Sequence, residues 1–309
     1  MTSFRTEIKF EEWRLNGNHQ NVFLTFGSCF ADLIRASLAR HFFEAPHPSH
    51  GVIYHPTALA QAAREVLNNR SYCSDDLLFH EGLFKSLNHH SAFSARSAQE
   101  ALDRINHRIE DCHNKLSDQA IIIVTFGSAM AYVHKATNKV VANCHRLPQQ
   151  DFSRSLTDLD TMISNWEELV ACFKEKFPKL QWIFTVSPVR HLKEGFIENQ
   201  RSKARLIMLC EALSNYSNCH YFPSYEIMMD DLRDYRFYGE DFIHPTSFAV
   251  EYIRSIFYKN TMSESTLNDI KQMEPFIKTI EHRGLHENTE QTEKRKAAAL
   301  EEVRLILNR

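Results

Sequence analysis

Three apolar runs in this sequence are separated by stretches in which apolar side chains recur at helical spacing. The runs occupy positions 21–26, 120–126 and 180–186, and each ends before a glycine or a serine. Short runs rich in β-branched and aromatic residues are typical of strands that are buried on both faces. Strands that alternate with helices form right-handed crossovers and a parallel sheet. The pattern therefore predicts an α/β fold of three αβα layers around a mainly parallel sheet.

The end of the sequence has a different character. Residues 294–307 are rich in Ala, Glu, Lys, Arg and Leu, a composition that favours a solvated or partner-ordered helix. At 309 residues the chain has room for one large domain and an added segment. We predict an α/β domain over 1–262 and a charged helical tail over 263–309. The tail is a candidate for self-association, and the oligomeric state is left open.

Bulk properties exclude several classes of function. The 36 basic and 39 acidic side chains are interspersed and give a net charge of −3, so no nucleic-acid partner is expected. No apolar run approaches the roughly 20 residues of a membrane helix, and the first residues lack the pattern of a signal peptide. We therefore expect a cytoplasmic protein without membrane insertion that acts on a small molecule or a glycan.

The cysteines and histidines favour no metal or redox cofactor. Seven cysteines form an odd set without a CxxC pair, which is typical of reduced thiols in the cytoplasm. None of the 17 histidines recurs with cysteines or carboxylates at a spacing typical of metal ligands. We expect no metal and no cofactor.

The turn after the first run is the first candidate for chemistry. Gly27 permits a sharp turn, and Ser28 and Cys29 then stand at the start of a helix, beside backbone N–H groups of positive partial charge. Such donors stabilise a thiolate or the oxyanion of an acyl-transfer intermediate. The structural alternative is that Ser28 only caps the helix and Cys29 is a small buried residue.

A second candidate precedes the last helix of the predicted domain. Asp241 and His244 are three residues apart across a turn, so a carboxylate oxygen can reach the imidazole ring. An aspartate in this position fixes the ring tautomer and supports the charge that the ring gains with a proton. The structural alternative is that both residues only satisfy backbone groups at the helix start.

Two further residues follow a predicted strand directly. Arg190 and His191 come just after the third apolar run, where they can reach the crevice at the carboxyl edge of the sheet. There they are candidates to bind an anionic or polyhydroxy substrate. Pairing with acids such as Glu198 or Asp241 is the structural alternative.

The segment 27–31 resembles the signature of the GSCFA-domain family, bacterial proteins distantly similar to SGNH/GDSL hydrolases. Further stretches that carry the resemblance are 141–146, 185–191, 198–204, 221–226 and 241–245. Together they span about 4–257. The resemblance implies an SGNH-hydrolase or flavodoxin-like sheet and a nucleophile in the first motif. It does not imply a particular substrate.

The SGNH pattern fits this sequence with two departures. Strict register places Cys29 at the nucleophile position, and a shift of one residue places Ser28 there instead. The third motif, at Gly127, lacks the asparagine that supplies an oxyanion donor. By the same resemblance, the remaining oxyanion or substrate-binding candidates are Gly51, Ser128, Asn143 and His145.

These residues predict an acyl-ester hydrolase or acyltransferase that acts through a covalent acyl-enzyme. The resemblance to SGNH hydrolases implies an acylated glycan or a small metabolite as the class of substrate. In this hypothesis His244, oriented by Asp241, activates Cys29 or Ser28. The missing asparagine favours an alternative, a catalytically inactive protein of the same fold that binds a polar ligand or acts as a scaffold. A redox-sensing thiol at Cys29 is a third hypothesis.

Overall fold

The chain is described by a computed structural model over residues 6–10, 13, 15–282 and 290–308. The central sheet has four parallel strands in the order β1-β4-β8-β9. Its strands are β1 (Phe23–Gly27), β4 (Ile121–Phe126), β8 (Gln181–Val186) and β9 (Cys219–Phe222). The three longest coincide with the three apolar runs, which confirms the predicted parallel α/β sheet.

A short edge segment completes this sheet. Val52 forms a single parallel bridge with Gly27, and the N–H of Ile53 donates to the Gly27 carbonyl at 2.9 Å. If this segment is counted as a strand, the sheet runs from the segment at Val52 through β1, β4 and β8 to β9. Numbered along the chain, these five strands have the order 2-1-3-4-5. In this order the direction of winding reverses between β1 and β4, and ligands of such sheets bind at the carboxyl ends of the strands beside this point.

Helices cover both faces of the sheet, because alternate strand residues point in opposite directions. Phe23, Ile121 and Ile183 face a layer formed by α1 (Cys29–Arg40) and α7 (Ser247–Thr261). The other face, with Leu24, Val124 and Trp182, packs against α2, α4 and α5. The molecule is therefore the predicted three-layer αβα structure. The remaining helices are α2 (Pro56–Leu67), α3 (Ala98–Asn114), α4 (Leu159–Lys176), α5 (Phe196–Leu213) and the short α6 (Ser224–Glu226), which continues as a π-helical turn (Ile227–Asp231).

Two small antiparallel sheets are added to this frame. A hairpin pairs β2 (Leu78–His80) with β3 (Leu83–Lys85), between α2 and α3. An insertion between β4 and α4 forms β5 (Met130–His134), β6 (Lys139–Val140) and β7 (Phe152–Leu156), in the order β6-β5-β7. The sequence analysis predicted neither sheet.

The predicted tail is helical and packs against the domain. It comprises α8 (Glu264–Glu281) and α9 (Glu290–Leu307), and residues 283–289 and 309 of it lie outside the described residues. The two helices share an apolar cluster with Phe42, while Arg40 forms ion pairs with Glu274 and Glu281. Self-association through this segment stays a prediction. Among the described residues, no helix is both long enough and apolar enough to cross a membrane.

Candidate active site

The turn at the end of β1 is fixed by its closeness to β4. Gly27 pairs with Thr125 and has a φ of 149°, a conformation that side chains other than glycine rarely adopt. A Cβ at Gly27 would lie 2.5 Å from the Thr125 carbonyl oxygen. The N–H of Ser28 donates to that same carbonyl at 3.2 Å. Only glycine therefore allows the chain to leave β1 and begin α1 at this place.

Ser28 is the N-cap of α1. Its Oγ accepts a hydrogen bond from the N–H of Phe30 at 3.3 Å, and the residue is 1% exposed. The hydroxyl therefore satisfies one of the otherwise unpaired donors at the helix start. This position is the structural alternative that the sequence left open for Ser28.

Removal of this cap gives a first testable outcome. Ser28→Ala should lower the free energy of unfolding by about 1 kcal/mol, the usual cost of losing an N-cap hydroxyl. Urea unfolding followed by circular dichroism measures it. The matched control is Ser255→Ala, because that exposed hydroxyl bonds only the Tyr252 carbonyl of its own helix. An equal and negligible effect of the two changes would contradict the capping role.

Cys29, by contrast, is partly exposed at the first position of α1. Burial raises the pKa of its thiol above the usual value, and the backbone N–H groups of Phe30 and Cys29 and the charge of Lys203 only partly oppose this rise. The sulfur thus lies beside the donors of a helix start, at the switch point of the sheet. Partial exposure and nearby N–H donors favour reactivity of the thiol, whereas its raised pKa opposes it.

Lys203 is the unexpected member of the site. It lies on α5 and is 1% exposed, and its Nζ donates to the Gly127 carbonyl at 2.9 Å and the Ser187 carbonyl at 2.7 Å. Gly127 and Ser187 follow β4 and β8 directly, and the register of the sheet puts Cys29 level with them beyond β1. Lys203 therefore lies under the carboxyl edge of the sheet, near the thiol.

The ammonium group of Lys203 has no carboxylate partner among the ion pairs of the described residues. Burial lowers the pKa of Lys203 to about 7, and the nearby Cys29 opposes this shift. A lysine with this pKa is able to exchange a proton near neutral pH. Lys203 was not predicted from the sequence as a site residue. Its helical spacing with apolar residues was a signal, because Lys203, Leu206, Cys210 and Leu213 share the buried face of α5.

Two aromatic rings form a wall beside the thiol. The Tyr54 carbonyl accepts the N–H groups of Gly127 and Ser128, at 2.9 and 3.1 Å, which anchors Tyr54 across the end of β1. Its ring stacks on His191 with centroids 6.4 Å apart. Burial raises the pKa of Tyr54, and the charge of Cys29 adds to the rise. Tyr54, like Lys203, was missed by the sequence analysis.

His191 belongs to the same wall, as its position after β8 predicted. Burial lowers its pKa, and the charges of Lys203, Lys193 and Arg154 lower it further. The ring is therefore neutral at pH 7 and is able to accept or donate hydrogen bonds. Its backbone N–H is held by the Asn199 side chain at 2.8 Å.

Asp241 and His244 form the contact that their spacing predicted. His244 Nδ1 lies 2.6 Å from Asp241 Oδ2, and Asp241 Oδ1 accepts the N–H groups of Ile243 and His244. The hydrogen bond from His244, followed by these backbone donors, lowers the pKa of Asp241 to about 2. Both side chains are about half exposed, on a loop tied to the site by a bond from the Arg190 N–H to the Ile243 carbonyl.

This pair is separate from the thiol in the structure. No hydrogen bond within the described residues joins Asp241 or His244 to Ser28 or Cys29. Pro245 nevertheless lines a surface cavity with Leu33 of α1, so the loop runs along the helix that begins at Cys29.

The other predicted residues make hydrogen bonds or ring contacts within the fold. The Gly51 N–H donates to the Pro48 carbonyl, and the Ser128 Oγ accepts the N–H of Met130. Asn143 Oδ1 accepts the N–H of His145, whose Nε2 lies 2.7 Å from the Ser86 carbonyl oxygen. Arg190 stacks 4.1 Å from the centroid of the Tyr238 ring. In these bonds the Gly51 N–H is a donor already in use, whereas Ser128 and Asn143 take part as acceptors.

The cysteines and the possible metal ligands can be stated for the described residues. All seven cysteines are free thiols, and within the described ranges no three His, Cys, Asp or Glu side chains are grouped so that they could hold a metal ion. The site thus consists of a thiol, a buried amine and a wall of aromatic rings.

Fold and site together define a three-layer α/β protein with a thiol at the switch point of its sheet. A model of the GSCFA family matches residues 22–257, most of the chain. The chain belongs to the GSCFA family. A search among curated proteins found no match.

Proposed function

We propose that this protein is a thiol-dependent acyl-transfer enzyme, an esterase or an acyltransferase, with Cys29 as its nucleophile. The observation that carries the proposal is the position of Cys29, partly exposed at the start of α1 and level with the strand ends that Lys203 bridges. Ser28 is buried as a cap, which supports the thiol over the hydroxyl.

The first half-reaction transfers the acyl group to sulfur. Cys29 gives its proton to a base, and the thiolate attacks the ester carbonyl carbon while the carbonyl π electrons move to oxygen. The oxyanion then collapses, the C–O bond to the leaving alcohol breaks, and the base returns the proton to that alcohol. The products of this half-reaction are an acyl thioester on Cys29 and a free alcohol.

The second half-reaction frees the enzyme. Water attacks the thioester in a hydrolase, or the hydroxyl of an acceptor attacks it in an acyltransferase, and the thiol leaves with a proton. An acylated glycan or a small metabolite is the proposed substrate, and the cytoplasm is the proposed location. Both come from the sequence analysis.

Two groups are suited to move the proton. Lys203 lies near the thiol and has a pKa of about 7, so its neutral amine can take a proton at neutral pH. His244 is oriented by Asp241 in the manner of a catalytic imidazole, but no hydrogen bond of the described residues joins it to the thiol. We propose Lys203 as the base towards Cys29, and His244 as the group that serves the leaving alcohol or the acceptor.

A second function is favoured by one observation. Of the donors expected to bind an oxyanion, the Gly51 N–H is used within the fold, because it donates to the Pro48 carbonyl. The side-chain oxygens of Ser128 and Asn143 are held as acceptors of the Met130 and His145 N–H groups. The backbone N–H groups of Phe30 and Cys29 lie beside the thiol. A protein without a complete oxyanion site would bind a polar ligand in this crevice without turnover.

The deciding experiment is intact-mass spectrometry after brief incubation with a panel of activated acyl esters. We expect an adduct on the parent protein and on Ser28→Ala, none on Cys29→Ala, and slower formation or decay on His244→Ala. Cys73→Ala is the matched control, because Cys73 is an exposed thiol distant in sequence.

Each alternative gives a different result. An adduct that persists in Cys29→Ala and disappears in Ser28→Ala would overturn the assignment of the nucleophile. Neither adduct nor ester turnover in any sample would select the binding protein.

A further inference from the structure

A cavity of about 600 Å³ lies between the sheet of β5 and β7 and the loop 143–149. We call it the basic cavity, because the charged side chains that line it are Arg146, Arg154 and Lys193, without a carboxylate among the described lining residues. Its other walls are Tyr132, Asn143, Cys144, His145, Leu147, Pro148, Gln149 and Phe152.

The three basic side chains of the cavity are only partly neutralised by a nearby carboxylate. Glu194 forms an ion pair with Arg154, and Lys193 donates to the Tyr132 hydroxyl at 2.7 Å. Arg154 and Lys193 each lie 5.0 Å from the centroid of the Tyr132 ring. Three cations against one anion, in a chain of net charge −3, concentrate positive charge on one concave surface.

The loop that carries Arg146 is held in a strained conformation. His145 and Arg146 have φ values of 49° and 61°, and two successive residues other than glycine in this region are uncommon. Asn143 Oδ1 and the Ser86 carbonyl bond the backbone and the ring of His145, which keeps the strain in place. Strain of this kind persists where a side chain must be presented in one direction.

The basic cavity adjoins the crevice of the thiol. Lys193 follows His191 by two residues, and the charges of Lys193 and Arg154 act on the His191 ring, which stacks on Tyr54. His191 is thus a neighbour both of the basic side chains of the cavity and of the Tyr54 ring beside Cys29.

We propose that the basic cavity binds an anionic group, a phosphate or a carboxylate, of a small-molecule ligand. Arg146 and Lys193 supply exposed donors to the anion, and Leu147, Phe152 and the Tyr132 ring contact its apolar part. Asn143 and His145 are positioning residues of this site. That the ligand is the acyl donor or acceptor rests on the proposed acyl transfer; that the cavity binds an anion does not.

Cys144 provides a readout that is independent of turnover. This thiol lines the cavity and is partly exposed. In Cys29→Ala protein, the rate of iodoacetamide alkylation at Cys144 is measured by peptide mapping, with exposed Cys73 as the internal control. The probes are sodium pyrophosphate and sodium succinate at about 10 mM, a concentration that fills most sites of millimolar affinity. Sodium chloride at equal ionic strength is the reference.

We expect at least one probe to slow alkylation of Cys144 several-fold and to leave Cys73 unchanged. Protection by pyrophosphate alone assigns a phosphate, and protection by succinate alone assigns a carboxylate. The double variant Arg146→Gln/Lys193→Gln should lose the protection, whereas Lys139→Gln on exposed β6 should keep it. No protection by either probe, equal slowing of Cys73, or protection that survives the double variant would overturn the proposal. Since Cys29 is absent throughout, none of these results depends on acyl transfer.

Discussion

Replacement of Lys203 with methionine is expected to slow acylation of Cys29 by activated esters about 10²–10⁴-fold, the usual contribution of a positioned general base. Methionine has a similar length and no charge, and the buried site accepts an apolar chain. Alkylation of Cys29 by iodoacetamide at pH 7 should also slow, because the variant lacks the charge that lowers the pKa of the thiol. Each unit by which that pKa rises reduces the thiolate fraction about tenfold.

The pH profile separates this role from a structural one. Lys203 has a pKa of about 7, so the acylation rate of the parent protein should rise with pH through about 7, as the amine becomes able to accept a proton. In Lys203→Met this rise should be absent, and only the ionisation of the thiol at alkaline pH should remain. Single-turnover rates from pH 5.5 to about 9.5 measure both the rise near pH 7 and the alkaline ionisation of the thiol.

The stability of the parent protein should also rise with pH, but over a higher range. The pKa of Lys203 is lowered from 10.5 to about 7, so between these values the unfolded chain binds more protons than the folded one. The free energy of unfolding of the parent therefore rises as pH increases through that window. Lys203→Met lacks this dependence, although it leaves the carbonyls of Gly127 and Ser187 without their donor.

The control is Lys139→Met, on exposed β6, which should leave the rate, the profile and the stability slope of the parent unchanged. Parent-like acylation and an unaltered profile in folded Lys203→Met would contradict the assignment of Lys203 as the base. The amine would then be a structural donor to the two carbonyls, and His244 would be the remaining candidate.

The central sheet could be predicted from the sequence because its signals are local. The strands β4 and β8 are buried on both faces, and a strand of this kind has consecutive apolar residues in the sequence. The contact of Asp241 with His244 was predictable for the same reason, since three residues across one turn determine it. The turn at Gly27 was predictable as well, because the apolar run 21–26 directly precedes it.

The missed elements depend on distant partners. Strands β5 and β7 mix polar and apolar residues, and they form only because they pair with each other across a long insertion. Asn143 and His145 lie in that insertion, so their distance from Cys29 could not be read from their position in the chain. The approach of Lys203 to the strand ends likewise depends on how α5 packs under the sheet. The sequence contained one indication of this approach, which is a charged residue on the apolar face of that helix.

Replacement of Glu65 with glutamine should lower the free energy of unfolding by about 3–5 kcal/mol, the usual cost of breaking a buried ion pair. Its side chain is 7% exposed and accepts four hydrogen bonds: from His50 at 2.6 Å, Arg70 at 2.6 Å, Tyr72 at 2.8 Å and Gln61 at 3.0 Å. Glutamine turns one acceptor oxygen into a donor, so its amide group must face a donor. Urea unfolding at pH 7 measures the loss.

This network also supports the wall formed by Tyr54 and His191. His50 precedes the segment 51–54, which bridges Gly27 and carries Tyr54 to the ends of β1 and β4. Glu65→Gln should therefore also reduce the alkylation rate of Cys29. Tyr72→Phe removes a single donor and should cost about 1.5–3 kcal/mol, the range for a hydrogen bond to a charged group. If Glu65→Gln fails to fold, the stability of Tyr72→Phe still tests whether this network stabilises the protein.

The pH dependence of the loss identifies the carboxylate as its source. Burial alone would raise the pKa of Glu65, but the hydrogen bond and charge of His50, with the other donors, lower it from 4.5 to about 2. The resulting stability, about 3 kcal/mol, is complete above about pH 5 and disappears as the pH falls towards 2. The gap between parent and Glu65→Gln should therefore narrow from pH 7 to 3. Glu168→Gln, whose exposed carboxylate pairs with Arg64, should cost less than about 1 kcal/mol. A gap no larger than that of Glu168→Gln, or one that stays constant with pH, would show that the buried carboxylate does not hold this wall of the site.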